Sequence, residues 1–590
     1  MENLNQIKKF LSEQTKFEGI TFGDENYHYA RQISNSRFGL MPAGIAYCNT
    51  PTDVQVCVNF CKNDNVPFRI RSGGHQHEGM SSASDALIID LSKMYGAKIH
   101  DDDGKPITAD AETAWIPVGM KLEVVYKDLA ASPIFKTIPG GGCQSVNLGG
   151  LTQGGGWGTS IRKFGLTCDN IDEAELVLAD GSILNTAKLD ISIKEVKERK
   201  ERILWALRGG GGGNFGVVTR FKFRLSPLGS AVTTFGIKWD NTADSKKVVK
   251  KWIDFQKGLT HNLSCAAVLS LERDKKTEKK NSINARMGGK FYGSEQDLLK
   301  LLKTLLGDLA PISVKGEDLK PIKDSKADQY FAGINTNNYS VQKTQDHSLR
   351  LVADDQWVAD FMSMNSLIDD HTRMLTLGSS AASNIDPEPM VVHVLSVENG
   401  SDRSGYTVLP KAPESTCDQP HPHKVTSAFP SIVETKEHHE LVDKVYERLE
   451  METFHPDVKK YMVWHCLGGV SDKEEYEKKS AYPFRNKPYL LQLQCWWDNS
   501  GKIVNDVGRA TEYVKWVNDF RDEILAKETA GAFINFVDKL LVKDISTQEN
   551  RLKLLKFYYG DSLDQLRTAK KEFDPENLFQ FEMSIPPSDH

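Results

Sequence analysis

Pro139-Gly140-Gly141-Gly142-Cys143-Gln144-Ser145-Val146-Asn147-Leu148-Gly149-Gly150-Leu151-Thr152-Gln153-Gly154-Gly155-Gly156-Trp157-Gly158 is the stretch whose reading decides the fold. Nine of the nineteen residues from Gly140 to Gly158 are glycine. So many glycines together mean backbone at positive φ, or backbone that something else approaches closely. Free N–H groups in such loops form anion-binding nests suited to phosphates. A second cluster, Arg208 to Gly216, holds six glycines in nine residues. Glycine as a whole is 45 of 590 residues, an ordinary share, so the clustering carries the signal and the count does not. Both clusters lie between apolar, structured segments, which argues against a flexible linker and for nucleotide-phosphate binding. Cys143, flanked by glycines on an N–H-rich loop, is expected to have a lowered pKa and to be nucleophilic.

Working outward, Gly211-Gly212-Gly213-Asn214-Phe215-Gly216 formally matches GxGxxG. A dinucleotide fingerprint needs a strand before it and a helix after it. Here a helical stretch precedes and an alternating strand follows, so that reading is rejected; neither cluster offers GxxxxGK[ST]. Upstream, Pro51-Thr52-Asp53-Val54-Gln55 reads as a helix start with Thr52 and Gln55 as capping box, running to Asn63. A strand at 67–71 ends in Ser72-Gly73-Gly74-His75-Gln76-His77-Glu78-Gly79, and another covers 87–91. A strand at 115–118 and a helix at 121–130 lead into the first cluster. Asp180-Gly181 closes a hairpin between 175–178 and 182–184. From Val217, Thr219, Phe221, Phe223 and Leu225 alternate with Arg220, Lys222 and Arg224, which predicts a half-buried antiparallel strand. Beyond about residue 230, helices near 243–257 and 294–307 mix with strand-like runs at 390–397 and 489–497, the texture of a second α+β unit. A short helix at 561–573 ends at Asp574-Pro575.

The length suggests two or more compact units. The 74 basic residues against 80 acidic ones give −6, which argues against nucleic-acid or anionic-membrane partners. No apolar run reaches transmembrane length, and Met1 to Phe17 lacks an apolar signal core, so a cytoplasmic protein is expected. Nine cysteines, an odd number without a CxxC pair, predict reduced thiols; Cys57 and Cys61 at i,i+4 spacing are expected to pack rather than ligate. His421-Pro422-His423 and His438-His439 lack a third ligand at metal spacing, so no metal is expected. The runs 194–202 and 273–280 read as solvated charged faces.

Five motifs in order resemble the berberine-bridge-enzyme-like flavoproteins of the vanillyl-alcohol-oxidase/p-cresol-methylhydroxylase superfamily. They are Arg71-Ser72-Gly73-Gly74-His75 with Gly79; Cys143-x-x-Val146-x-x-Gly149-Gly150; Gly154-Gly155-Gly156-Trp157-Gly158; Trp205-Ala206-Leu207-Arg208 running into Asn214-Phe215-Gly216; and Asp574-Pro575-x-Asn577-x-Phe579 with Ser584-Ile585-Pro586-Pro587. The match runs from about 40 to 230 and over the last 30 residues; the middle matches weakly. The resemblance implies an α+β fold, with a two-lobed FAD-binding domain over 1–230 (core about 40–227), a substrate domain on an antiparallel sheet over 231–545, and a segment over 546–590 returning to the first domain.

It also implies FAD attached twice, through a ring nitrogen of His75 and the sulfur of Cys143. Cofactor contacts are implied for Arg71, Ser72, Gly73, Gly74, Gln76, Gly79, Gly142, Val146, Gly149, Gly150, Gly154, Gly155, Trp157, Gly158, Gly213, Asn214, Gly216, Val217 and Asn577. The cofactor would carry the redox chemistry while the protein orients and tunes it. Three departures stand out: Gln153 near where relatives carry His, Asn147 where Gly is usual, and Met583 where Gln is common. Val146 stands where relatives gate oxygen, and Val there resembles the oxidases. On the strand at 489–497, Tyr489, Leu491, Leu493 and Cys495 share one face and Gln492, Gln494 and Trp496 the other. Tyr489 is a candidate base and Gln492 a candidate substrate-orienting residue; both read equally as ordinary strand residues. The expected function is an oxidase that takes hydride from a C–H bond alpha to a hydroxyl, as in a sugar or other alcohol, and reduces O2 to hydrogen peroxide. The alternative is a dehydrogenase or oxidative cyclase on an aromatic or alkaloid-type metabolite; a flavoprotein without turnover ranks last. The expected partners are a small-molecule substrate and O2, with the chain a monomer or homodimer.

Overall fold

The computed structural model describes residues 3–96, 98–131, 134–228, 232–239, 242–273, 281–309, 339–343, 349–353, 421–453, 455, 458–497 and 507–589. The strand-like run at 390–397 and most of the charged run at 273–280 lie outside the described residues.

The first half builds two small sheets. Strands β1 (Glu18–Thr21), β2 (Gly44–Tyr47), β3 (Phe68–Arg71) and β4 (Leu87–Asp90) form one, in the order β1-β2-β4-β3. The pairs β2/β4 and β3/β4 are parallel. A helix, Pro51–Asn63, crosses from β2 to β3. Its cap is Thr50, whose hydroxyl accepts from the Asp53 N–H while Asp53 answers in a reciprocal box. The expected pair Thr52/Gln55 is displaced by two residues, because Pro51 occupies the first helical turn and the cap must precede it. Cys57 and Cys61 point into the core from this helix.

Strands β5 (Thr113–Pro117), β7 (Ile171–Val177), β8 (Ile183–Asn185) and β9 (Val217–Arg224) form the second sheet, antiparallel, in the order β5-β9-β7-β8; β6 (Lys136–Thr137) pairs only with the short β10 (Ser226–Pro227). Thr219, Phe221 and Phe223 are buried while Arg224 faces solvent, the predicted alternation. The helix Lys194–Leu207 precedes the second glycine cluster and β9 follows it, so its GxGxxG opens no helix.

The second half is dominated by one nine-stranded sheet. It contains β11 (Thr233–Trp239), β12 (Leu263–Arg273), β13 (Asn281–Phe291), β14 (Tyr339–Lys343), β15 (Leu349–Ala353), β16 (His423–Pro430), β17 (Val458–Cys466), β18 (Tyr489–Trp497) and β19 (Thr529–Gly531), in the order β15-β14-β11-β13-β12-β17-β18-β16-β19. All pairs are antiparallel except β11/β14. Helices Thr242–Gln256 and Thr435–Glu450 cover one face. The other face turns towards the first half, and the two are tied by named bonds. Trp157 Nε1 donates to the Cys466 carbonyl (2.8 Å) and Arg485 pairs with Asp169 (2.9 Å), both buried. The chain then returns: 532–541 packs between the halves, and helices Gln548–Tyr559 and Leu563–Phe573 lead to a tail whose Ile585 N–H donates to Asn214 Oδ1.

Candidate active site

Where the two halves face each other lies a cavity of about 310 Å³. Its lining comes from both glycine clusters, the 72–77 loop, the face of β17 and β18, and the returning segment. The glycine clusters are stitched together by one residue. The Gln153 carbonyl accepts from the N–H of Gly209 (3.0 Å) and of Gly211 (2.9 Å), while its side-chain Nε2 donates to the Gly149 carbonyl (3.0 Å). Within the first cluster, Leu148–Gln153 is a short helix, although two of its six residues are glycine. Glycine costs about 1 kcal/mol against alanine in a helix, so composition pointed to loop; tertiary packing overrides it. Asn147, the departure from glycine, anchors that helix: Nδ2 donates to the Gly119 carbonyl (2.8 Å) and the Ser72 carbonyl (3.2 Å). It thereby joins the cluster to the loop that bears His75.

His75 and Cys143 both line this cavity. His75 Nε2 lies 3.1 Å from Ser145 Oγ. Among the described cysteines Cys143 is half-buried and the other seven are buried. Ser72, Gly73, Gly74, Gln76, Gly142, Val146, Gly149, Gly150, Trp157, Gly213, Asn214, Gly216 and Gln492 line the same space, and so does Met583.

The remaining predicted residues lie off the cavity, each for a visible reason. Arg71 is buried in an ion pair with Asp90 between β3 and β4. A Cβ at Gly79 would touch the Phe38 ring, at Gly154 the Asn535 amide, and at Gly155 the Tyr482 ring. A Cβ at Gly158 would sit 1.7 Å from the Gly140 carbonyl oxygen. These four glycines serve protein packing. Val217 points to the opposite face of β9 from Val218, which lines the cavity. Asn577 takes φ +53 in the turn after the last helix.

Tyr489 also lies outside, and the expectation of a base there gives way. It sits on the helix-covered face of β18, where its hydroxyl is 2.6 Å from His438 Nδ1 and its ring packs on Trp252. Burial pushes its phenol pKa well up, which disfavours the phenolate. Gln492, Gln494 and Trp496 occupy the cavity face, as the alternation predicted.

Sequence reading missed the polar group that Gln492 holds. His465, on β17, is fully buried, with Nε2 2.8 Å from Gln492 Oε1. Its ring meets Trp157 (centroids 4.3 Å) and Phe536 (5.5 Å). Burial drives its pKa down to about 4, the Gln492 hydrogen bond opposing only in part. A second imidazole pair was missed too. His77 Nδ1 lies 2.9 Å from His423 Nε2, and His423 Nδ1 donates to the His421 carbonyl (2.9 Å). Burial, with help from His75 and Lys424, lowers the His77 pKa to about 3. His439 pairs with Asp254 (2.7 Å), so the rings of His423, His438 and His439 are engaged with protein groups. No three His, Cys, Asp or Glu side chains among the described residues converge as a metal site.

FAD fits this cavity on two observations. The wall carries glycines that leave room: Gly150 has nothing within 4 Å of where a Cβ would stand, and the nearest atom for Gly212 is the Gly150 Cα at 3.7 Å. Polar atoms at the wall also lack a protein partner among the described residues: Gln153 Oε1, Gln494 Nε2 and His465 Nδ1. Buried polar atoms are rarely left unpaired without a ligand or water to meet them.

Comparison with known proteins agrees. Residues 42–187 match the FAD binding domain family, and residues 532–586 match the family described as berberine and berberine like. An uncharacterized FAD-linked oxidoreductase of Bacillus subtilis, YgaK, is 27% identical over 583 residues, 98% of each chain. The monolignol oxidoreductase AtBBE-like 13 of Arabidopsis thaliana is 25% identical, covering 91% of this chain and 82% of its own. A solved chitooligosaccharide oxidase superposes with a TM-score of 0.65 over 100% of this chain and 99% of that one; at 20% identity this speaks for the fold alone. No helix among the described residues is long and apolar enough to cross a membrane. An FAD-binding domain, a berberine-type return segment and a cavity between them make the chain an FAD-linked oxidoreductase similar to the berberine bridge enzyme-like proteins.

Proposed function

We propose that the protein is an oxidase of neutral alcohols that works with FAD bound through both His75 and Cys143. The observation that carries the reading is their convergence: two reactive side chains from loops 68 residues apart in sequence (143 − 75) line one cavity. Ser72 to Gln76 and the run 211–213 would hold the pyrophosphate through backbone N–H groups, and Gly149, Gly150 and Val146 would face the ring system. FAD, when bound, supplies a two-electron acceptor for hydride. The chain's own residues bind the substrate against the β17–β18 wall, orient its hydroxyl and keep water out.

The substrate class rests on that wall. Among the described lining residues there is no Asp or Glu, and the cationic side chain, Arg69, is turned to the tail carbonyl of Gln580 (3.2 Å). Uncharged amides, imidazoles and aromatic rings recognise hydroxyl groups and rings, not ions. Of the relatives and solved neighbours whose names state a substrate, two name alcohols, a monolignol and a chitooligosaccharide, and one names reticuline. Val146, half-buried at the cavity, supports the oxidase reading over the dehydrogenase one.

The test is direct. Purified protein should be yellow, and the colour should stay with the chain through acid precipitation. His75→Ala and Cys143→Ala should each leave one link, and colour lost entirely to the supernatant in the wild type sinks the double attachment. Anaerobic mixing with saccharides and aromatic alcohols should bleach the flavin. Fast reoxidation by O2 in stopped flow, with hydrogen peroxide formed, supports the oxidase; slow reoxidation assigns a dehydrogenase.

A further inference from the structure

A base is required on the substrate side of the cavity, since a hydroxyl must lose its proton as its carbon gives up hydride. The described lining holds no carboxylate, and Tyr489 lies behind the sheet. Of the imidazoles that line it, His75 stands on the glycine-loop side and His77 is taken up by His423. His465 stands on the sheet that forms the opposite wall.

The hydrogen bonding of His465 fixes where its proton is. Gln492 presents Oε1 to Nε2 at 2.8 Å, and a carbonyl oxygen only accepts. Nε2 therefore carries the hydrogen and Nδ1 is left with a bare lone pair. That Nδ1 has no protein partner among the described residues, in a residue 0% exposed. A buried polar atom is rarely left unsatisfied unless a ligand or water completes it. Trp157 and Phe536 pack on the ring, and His465 lines the cavity in which a substrate would be held. The elements packed on His465 bring no charge. Trp157, Phe536 and Gln492 are neutral, and the Arg162 guanidinium beside β17 is spent on the carbonyls of Leu467 (2.5 Å) and Leu259 (2.6 Å). The neighbouring Gln494 supplies the complement. Its Oε1 accepts from Tyr461 Oη (3.0 Å) and Trp496 Nε1 (2.8 Å), and an indole N–H can only donate, so the unpartnered Nε2 is a donor.

We propose that Nδ1 of His465 takes the hydroxyl proton of the substrate, and that Gln492 is the positioning residue that sets the required tautomer. This rests on the alcohol-oxidising reading above. In the step, the C–O single bond becomes C=O. The O–H proton goes to Nδ1 and makes an imidazolium. The C–H hydrogen leaves with its electron pair as hydride, for which bound FAD is the oxidant. The imidazolium returns its proton to solvent once the product has left.

Three measurements test this on the flavin-loaded protein. In ¹⁵N-histidine-labelled protein, the resonances lost in His465→Gln should be a protonated Nε2 and an unprotonated Nδ1; a protonated Nδ1 overturns the assignment whether or not a substrate is known. For turnover, the probes are coniferyl alcohol and chitobiose. With whichever bleaches the wild-type flavin, His465→Gln should lower kcat by about 10²–10⁴-fold with KM within a few-fold and flavin content unchanged. A drop below tenfold, at full flavin content, refutes it. Gln492→Glu should place a carboxylate on Nε2–H and move the acid limb of kcat/KM upward by a unit or more; an unmoved limb refutes the positioning role. Failure of both probes to bleach the wild-type flavin would count against the alcohol reading and leave the tautomer result to decide the inference.

Discussion

Gly150→Ala separates the two things a glycine can do in this fold. Gly150 sits inside the helix Leu148–Gln153, with no positive φ. Nothing lies within 4 Å of where its Cβ would be built, and the position borders the cavity. In the cofactor-free chain the substitution is therefore sterically harmless. Alanine is the better helix former by roughly 0.5–1 kcal/mol, so cofactor-free protein should unfold at slightly higher urea. Loading should change in the opposite sense. The added methyl would stand in the space that FAD would fill, and overpacking of that kind costs about 1–3 kcal/mol, or about 5- to 150-fold in occupancy. The assay is the ratio of flavin absorbance to protein absorbance after purification, together with urea midpoints of flavin-free fractions. Gly158→Ala is the contrast: its Cβ would lie 1.7 Å from the Gly140 carbonyl oxygen, so both loading and stability should collapse. A Gly150→Ala protein with full flavin content and unchanged binding would refute the placement of the cofactor along this helix.

Other outcomes follow from features already described. Tyr489→Phe should leave kcat and its pH profile within a factor of two and cost about 1 kcal/mol of stability through the lost His438 bond; a fall in kcat beyond tenfold would return Tyr489 to the site. Lys424 is fully buried between Glu78 (2.6 Å) and Asp538 (2.5 Å), so Lys424→Met, which leaves two buried carboxylates facing each other, should cost on the order of 3–5 kcal/mol in urea unfolding. An unchanged midpoint would show that the pair is not needed. Acid should destabilise the fold in two stages. Buried neutral His465 has a folded pKa of about 4 against an ordinary 6.5, so the unfolded chain binds the proton first and stability falls as pH drops from about 6.5 to 4, by about 3 kcal/mol for this group alone. Asp538 is pushed up by burial but held down to about 2 by Lys424 and Arg521, so its contribution, present above about 3.8, is lost only as pH falls through about 2. Urea midpoints that stay flat from pH 7 to 4 would contradict the first stage.

Much of this arrangement was legible in the sequence where the signal is local. Glycine clusters, the hairpin at Asp180-Gly181 and the alternation of β9 are written in neighbouring residues, and the structure follows them. Period-two alternation on β18 separated Tyr489 from Gln492 correctly but could not say which face met the cavity. That depends on the helix Thr435–Glu450, whose His438 claims Tyr489. His465 was illegible for a different reason. The end of β17, Tyr461 to Cys466, is buried on both faces, so periodicity assigns no direction to a histidine within it. Only the register that sets β17 against β18 brings Nε2 to Gln492, 27 residues on. The helix cap slipped by two residues because Pro51 starts the helix itself, and the helix over Leu148–Gln153 was hidden by its own glycines.

The cavity lining runs from Ser34 to Met583, and the last stretches to join it are 534–536, Tyr559, 579–581 and Met583. A chain still being synthesised therefore presents a trough open on one side until the stretch from 534 to 583 has been made. Lys424 then closes the bridge from Glu78 to Asp538, and Ile585 docks on Asn214. A chain cut before residue 534 would keep both glycine clusters, His75 and Cys143 and lose the lining at Ile534–Phe536, Tyr559, Phe579–Phe581 and Met583, which closes the site from the side of the returning segment.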